Sequence, residues 1–152
     1  MTAQLEAGDK APDFSLPGDG GEPVSLRKAR GGKIVLYFYP KDDTEACTAD
    51  NGLRAQFAEA GAKIFGISPD SVKSHEKFKR KHGLELTLAA DEGRAALDAY
   101  GVWKEKSLYG RKYMGVERTT VLIDAKGVRA RIWRKVRVRG HAEEVLAAAR
   151  AL

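Results

Sequence analysis

Ile34-Val35-Leu36-Tyr37-Phe38 runs directly into Tyr39-Pro40-Lys41-Asp42-Asp43-Thr44-Glu45-Ala46-Cys47-Thr48. The first five residues are uninterrupted apolar side chains, the pattern of a strand buried on both faces. Pro40 has no N–H to give a ladder and ends the strand. A short polar loop follows, and the chain's single cysteine falls where the next helix should begin. The first turn of a helix carries unpaired N–H groups and a partial positive charge. Both favour thiolate over thiol, so Cys47 is a candidate nucleophile. A lone cysteine is also what a small buried hydrophobe looks like, and position by itself leaves both open.

Outward from this stretch, strands and helices alternate. An extended start at 8–16 stops at a turn, 17–21, whose glycines lack the spacing of a phosphate cradle. Residues 24–26 form a short strand, and 33–39 the buried strand. A helix is expected over 48–59, ended by Gly61. Residues 63–68 form a second buried strand. Ser71 caps a helix that runs to His82, with Gly83 past its end. A short extended piece follows at 86–89, then a short helix at 93–100. Residues 119–123 form a third core strand, turned by Asp124-Ala125-Lys126-Gly127 into 128–136. Gly140 leads into a last helix, 142–152. This order implies an α/β chain, a central mixed β-sheet flanked by helices on both faces, folded as one domain over 1–152. A sheet with a cysteine at the first helix start after a core strand resembles the thioredoxin-like arrangement. The Cys-x-x-Cys pair of dithiol oxidoreductases is absent.

Composition sets the limits. The chain has 152 residues, 43% hydrophobic and 32% charged, as in ordinary globular proteins. One cysteine excludes an internal disulfide, structural or catalytic. The first ten residues lack the apolar segment of a signal peptide, and no run is long enough to span a membrane, so a cytoplasmic location is expected. The net charge of +6 raises nucleic-acid binding. Yet Arg129, Arg131, Arg134, Arg137 and Arg139 alternate with Val128, Ile132, Trp133, Val136 and Val138. That pattern fits the solvated face of an edge strand, and no specific nucleic-acid partner is expected. His75, His82 and His141 show no metal-ligand spacing and read as helix-surface or helix-start residues. Trp103, Tyr109 and Tyr113 read as pocket walls or loop packing. No metal and no cofactor are implied.

The residues also carry a resemblance. Pro40-x-x-x-Thr44-x-x-Cys47 is the peroxiredoxin active-site pattern. Further segments narrow it: Gly66-Ile67-Ser68-Pro69-Asp70, Ala99-Tyr100-Gly101-Val102-Trp103, Glu117-Arg118-Thr119-Thr120, and Gly140-His141-Ala142-Glu143-Glu144-Val145-Leu146. Together they resemble the peroxiredoxin Q group, also called bacterioferritin comigratory protein, over nearly the whole chain. The resemblance implies a thiol peroxidase reducing hydrogen peroxide and organic hydroperoxides. Cys47 would be the peroxidatic nucleophile and Thr44 a hydrogen-bond donor to peroxide. Arg118 would hold the thiolate and the developing charge, since guanidinium never deprotonates. Pro40 would shield the sulfur. Taken singly, Thr44 reads equally as a helix cap, Arg118 as a surface charge and Pro40 as a strand terminator.

This chain departs from the resemblance at three places. The position five residues past Cys47, a resolving cysteine in many relatives, is Gly52. The Cys47 sulfenic acid must then be reduced by an external thiol (thioredoxin, glutaredoxin or a low-molecular-weight thiol), or pair with a second copy's Cys47. Glu45-Ala46 replaces the usual Pro-Gly, and a carboxylate close to the sulfur would raise its pKa. The stretch from Cys47 to Gly66 is shorter than in relatives by about one helical turn. A monomer is expected, with a Cys47–Cys47 dimer on oxidation. The alternative function is a thioredoxin-like redox sensor or partner-binding protein with slow peroxide chemistry.

Overall fold

The computed structural model describes residues 8, 10–18, 23–29, 31–40, 54–83, 87–134, 136 and 140–152. Among them the elements are β1 (Ser15–Pro17), β2 (Pro23–Ser25), α1 (Leu26–Ala29), β3 (Lys33–Phe38), α2 (Arg54–Glu59), β4 (Ala62–Ser68) and α3 (Val72–His82). There follow β5 (Thr87–Ala90), α4 (Ala95–Ala99), β6 (Trp103–Leu108), β7 (Arg111–Val116), β8 (Thr119–Ile123), β9 (Arg129–Trp133) and α5 (His141–Ala151).

The main sheet has five strands in the order β5-β4-β3-β8-β9. The apolar run 34–38 takes its centre, as its lack of alternation requires. β3 is parallel to β4, from Lys33↔Ala62 to Phe38↔Ile67. It is antiparallel to β8, from Ile34↔Ile123 to Phe38↔Thr119. The expected mixed sheet is therefore present, with β9 at its edge.

Successive side chains of β3 point to opposite faces and divide the core in two. Ile34, Leu36 and Phe38 pack with Leu26 and Ala29 of α1, Ala96 and Leu97 of α4, Tyr100 and Val116. Val35, Tyr37 and Tyr39 pack with Phe57 of α2, Phe78 of α3, and Val145, Leu146 and Ala149 of α5. Helices thus cover both faces. α3 has the ends its sequence predicts: Ser71 Oγ accepts from Ser74 N, and Gly83 (φ 62°) donates its N–H to the Lys79 carbonyl.

The structure adds one element that the sequence reading did not assign and corrects two expectations. Residues 103–116 form a two-stranded antiparallel hairpin, β6–β7, outside the main sheet. Its turn places Tyr109 (φ 52°) and Gly110 (φ 77°) in the left-handed region, as two-residue hairpin loops need. His75 is not on the helix surface. It is fully buried, with Nε2 3.0 Å from the Ala89 carbonyl oxygen, because it stands three residues before Phe78 on the inward face of α3. Arg129 is buried rather than solvated. The β8–β9 register shifts between Leu122 (opposite Arg131) and Ile123 (opposite Arg129). That extra residue turns Arg129 and Arg131, which alternation would put on one face, to opposite sides.

Candidate active site

The antiparallel β3–β8 pair ends at Phe38↔Thr119. Pro40 follows Phe38 by two residues and Arg118 directly precedes Thr119. Two positions distant in sequence are thereby brought to the same end of adjacent central strands. Tyr39, fully buried between Phe38 and Pro40 in the chain, donates its N–H to the Ile67 carbonyl at 3.1 Å. That bond carries the strand pairing up to Pro40. Pro40 itself is half-buried. The other two expected site residues, Thr44 and Cys47, lie outside the described residues, as do Glu45, Ala46 and Gly52.

Arg118 is half-buried, and its surroundings fix its backbone firmly. Its carbonyl accepts the Val136 N–H at 3.0 Å, and the neighbouring Thr119 hydroxyl donates to the Glu117 carbonyl at 3.0 Å. The Glu117 N–H donates to the Val102 carbonyl at 2.8 Å. One guanidinium nitrogen, Nη1, is buried and has no hydrogen-bond partner among the described residues. A buried cationic donor left without an acceptor is costly. Buried beside the end of the sheet, it is a donor suited to an oxygen or sulfur that gains negative charge.

The β6–β7 hairpin, unforeseen in the sequence, supplies the other charges. Lys104 pairs with Gly115 and Lys106 with Tyr113, which places both lysines on the face shared with Gly115 and Glu117. Lys104 Nζ lies 3.0 Å from Glu117 Oε2, a charge contact rather than an aligned hydrogen bond. The Lys106 stem lies across Gly115, where a Cβ would sit 3.5 Å from its Cδ. Burial holds the Lys106 ammonium below the usual lysine pKa, the Arg118 charge adds to the lowering, and Glu117 opposes it. The sequence signal for this hairpin was the Tyr109-Gly110 dipeptide between two six-residue polar stretches.

The aromatic residues divide. Trp103 is half-buried against the core, with the Arg94 guanidinium 5.1 Å from its ring. Tyr109 is 96% exposed at the hairpin tip. Among the described residues no group of His, Cys, Asp or Glu could hold a metal, and no helix is long and apolar enough to cross a membrane. His75 and His141 serve structural hydrogen bonds.

A central mixed sheet covered by helices on both faces, with a fixed arginine beside the proline that ends its middle strand, defines a thioredoxin-like protein. The AhpC/TSA family model matches residues 7–131. The chain belongs to that family, as a peroxiredoxin of the Bcp or peroxiredoxin Q group, and peroxiredoxins are thiol peroxidases. It is 49% identical over 146 residues to the putative peroxiredoxin bcp of Coxiella burnetii, covering 93% of this chain and 97% of that protein. It is 47% identical to peroxiredoxin Bcp of Bacillus subtilis over 93% of each chain. Among solved structures, the bacterioferritin comigratory protein of Xanthomonas campestris, studied for alkyl peroxide reduction, superposes with a TM-score of 0.88. Its identity is 42%, over 96% of this chain and 98% of that one. Peroxiredoxin Q of Xylella fastidiosa gives a TM-score of 0.91 at 36% identity, over 98% of each chain.

Proposed function

We propose that this chain reduces hydrogen peroxide and organic hydroperoxides through a sulfenic acid on Cys47, which an external thiol resolves. The observation that carries this is the buried Arg118 donor, which no described residue fills, at the strand end where Pro40 opens the cysteine segment. The Cys47 thiolate attacks one peroxide oxygen. An S–O bond forms, the O–O bond breaks, and the departing alkoxide or hydroxide takes a proton to leave as alcohol or water. Arg118 stabilises the charge spread over sulfur and both oxygens, Thr44 donates a hydrogen bond to peroxide, and Pro40 keeps water from the sulfur. A thiolate then attacks the sulfenic sulfur and expels hydroxide, which is protonated to water. A second thiol attacks the mixed disulfide, releasing a disulfide and returning Cys47 as thiolate. The single cysteine supports external resolution. A supply of reducing thiols suits a cytoplasmic location for a one-domain monomer, with a Cys47–Cys47 dimer as the oxidised form when thiol is scarce.

Replacing Cys47 tests the assignment. Cys47→Ser should abolish thiol-dependent peroxide turnover with an unchanged circular dichroism spectrum. Undiminished turnover would overturn it. Mass spectrometry of wild type after one equivalent of peroxide should show sulfenic acid or a mixed disulfide with added thiol. Turnover in wild type too slow to measure would favour the redox-sensor alternative.

A further inference from the structure

We propose that Lys106 selects the reductant: together with Arg118 it favours small thiols that carry carboxylates over neutral or cationic ones. The inference rests on the external-thiol mechanism above. Its ground is an excess of cations among the described residues around one hairpin face. The register puts Lys104, Lys106 and Arg111 on that face, the Arg118 charge bears on Lys106, and among the described residues the carboxylate beside them, Glu117, is already engaged by Lys104 at 3.0 Å. Glu105 belongs to the opposite face of β6 and lies 3.8 Å from Lys112. The Lys106 ammonium and the Arg118 guanidinium repel each other, yet the fold keeps them together, and Arg118 Nη1 has no partner among the described residues. An anion arriving here relieves that repulsion and fills the donor.

The two co-substrates differ in what they gain from such a field. Hydrogen peroxide and alkyl hydroperoxides arrive neutral. The reductant reacts as a thiolate, so it is anionic at the moment of attack, and carboxylates on the same molecule strengthen the attraction. Fields of this kind raise association rates by about tenfold or more and weaken as salt rises. The exposed side of Tyr113, paired with Lys106 across the hairpin, offers a flat contact for the carbon skeleton of a small thiol. Bond changes are those given above: sulfur–sulfur forms, sulfur–oxygen breaks, and hydroxide leaves.

The test is single-turnover reduction of peroxide-oxidised protein by mercaptosuccinate, mercaptoethanol and cysteamine, with rates expressed per thiolate. For each thiol the wild-type rate is divided by that of Lys106→Gln, which cancels the intrinsic reactivity of the thiol. We expect a ratio of about five to ten for mercaptosuccinate, whose thiolate form carries three negative charges, a smaller ratio above one for mercaptoethanol, whose thiolate carries one, and a ratio near one for cysteamine, which attacks as a net-neutral zwitterion. The mercaptosuccinate ratio should shrink between 20 mM and 500 mM salt, and Lys106→Arg should restore it. Lys126→Gln, the same charge change on the turn at the opposite end of β8, should give a ratio near one for every thiol. Equal ratios for the three thiols in Lys106→Gln, or the same pattern in Lys126→Gln, would overturn the role of Lys106 while leaving external resolution standing. If no thiol reduced the oxidised protein, both would fall.

Discussion

His141 Nε2 lies 2.8 Å from the Thr120 hydroxyl oxygen, tying the first residue of α5 to β8 two residues from Arg118. The contact sits in a polar cluster. Trp133 meets the imidazole edge-on at 5.7 Å and donates its indole N–H to Glu144 at 3.1 Å. Arg131 lies 3.5 Å from the same Glu144 oxygen and over the Trp133 ring at 4.7 Å. Burial lowers the His141 pKa, and Glu144 only partly offsets it. The folded chain therefore holds this proton less tightly than the unfolded chain, whose value is about 6.5. The stability linked to neutral His141 is complete above that value and is lost as pH falls through the lower folded value. Melting temperature should drop with acidification below about 6.5, and His141→Gln, which can still bond Thr120, should flatten that part of the profile. Superimposable wild-type and His141→Gln profiles would show that the linkage lies elsewhere.

Gly66 is held by a neighbour rather than by its backbone angles. It pairs with Tyr37 across β3–β4, and a Cβ at Gly66 would come within 2.9 Å of the Tyr37 ring, its hydroxyl and Leu88 Cδ2. Tyr37 cannot simply swing away, because its ring packs on Tyr39 at 5.6 Å. Gly66→Ala should destabilise the fold by about 1–3 kcal/mol, the usual cost of overpacking. Gly66→Ala/Tyr37→Phe removes only the hydroxyl clash and should recover part of that loss in urea unfolding. A neutral Gly66→Ala would mean that the sheet spreads at little cost.

What could be read in the sequence follows from how local each signal was. β3 announced itself through an unbroken apolar run and a proline, and α3 through Ser71 and Gly83, since caps act within a few residues. The closeness of Pro40 and Arg118 is a product of the β3–β8 pairing. Spacing along the chain carries no trace of it, and the family resemblance supplied it. The β6–β7 hairpin was hidden because Lys104, Glu105, Lys106, Arg111 and Lys112 leave its strands without apolar alternation, and because tyrosine stands where hairpin turns usually have Asn or Asp. The inward turn of Arg129 depends on a register shift that no single residue marks. His75 was legible in retrospect, three residues before buried Phe78.

The same turn yields a stability prediction. Tyr109 holds a left-handed backbone conformation that a bulky side chain rarely adopts, and its ring is 96% exposed, so packing returns little. Tyr109→Asn removes the strain and keeps the turn type. It should raise stability by up to about 1 kcal/mol, seen as a higher midpoint in chemical unfolding with an unchanged slope. A lower midpoint would show that the exposed ring makes a stabilising contact in solution.

In the proposed mechanism Arg118 stabilises the developing charge, and its two halves can be separated. Its backbone carbonyl serves the fold by accepting from Val136 at 3.0 Å, whatever the side chain is. Its guanidinium contributes the buried Nη1, which has no partner among the described residues. Arg118→Ala should therefore leave the sheet intact and, by deleting one preorganised donor, slow oxidation of Cys47 by about a hundredfold or more. Arg118→Lys keeps a positive charge and loses the planar fork. If charge alone matters, its rate should lie near wild type; if directed hydrogen bonds matter, it should lie nearer Arg118→Ala. Because the Nη1 donor is buried and already desolvated, we expect Arg118→Lys to fall closer to Arg118→Ala in stopped-flow measurements of peroxide oxidation. Removing the guanidinium also takes away the charge that, after burial, lowers the Lys106 pKa, so the Lys106 pKa should rise in Arg118→Ala, observable by NMR titration of its side chain. A wild-type oxidation rate in Arg118→Ala would make the arginine a structural residue and remove it from the catalytic set.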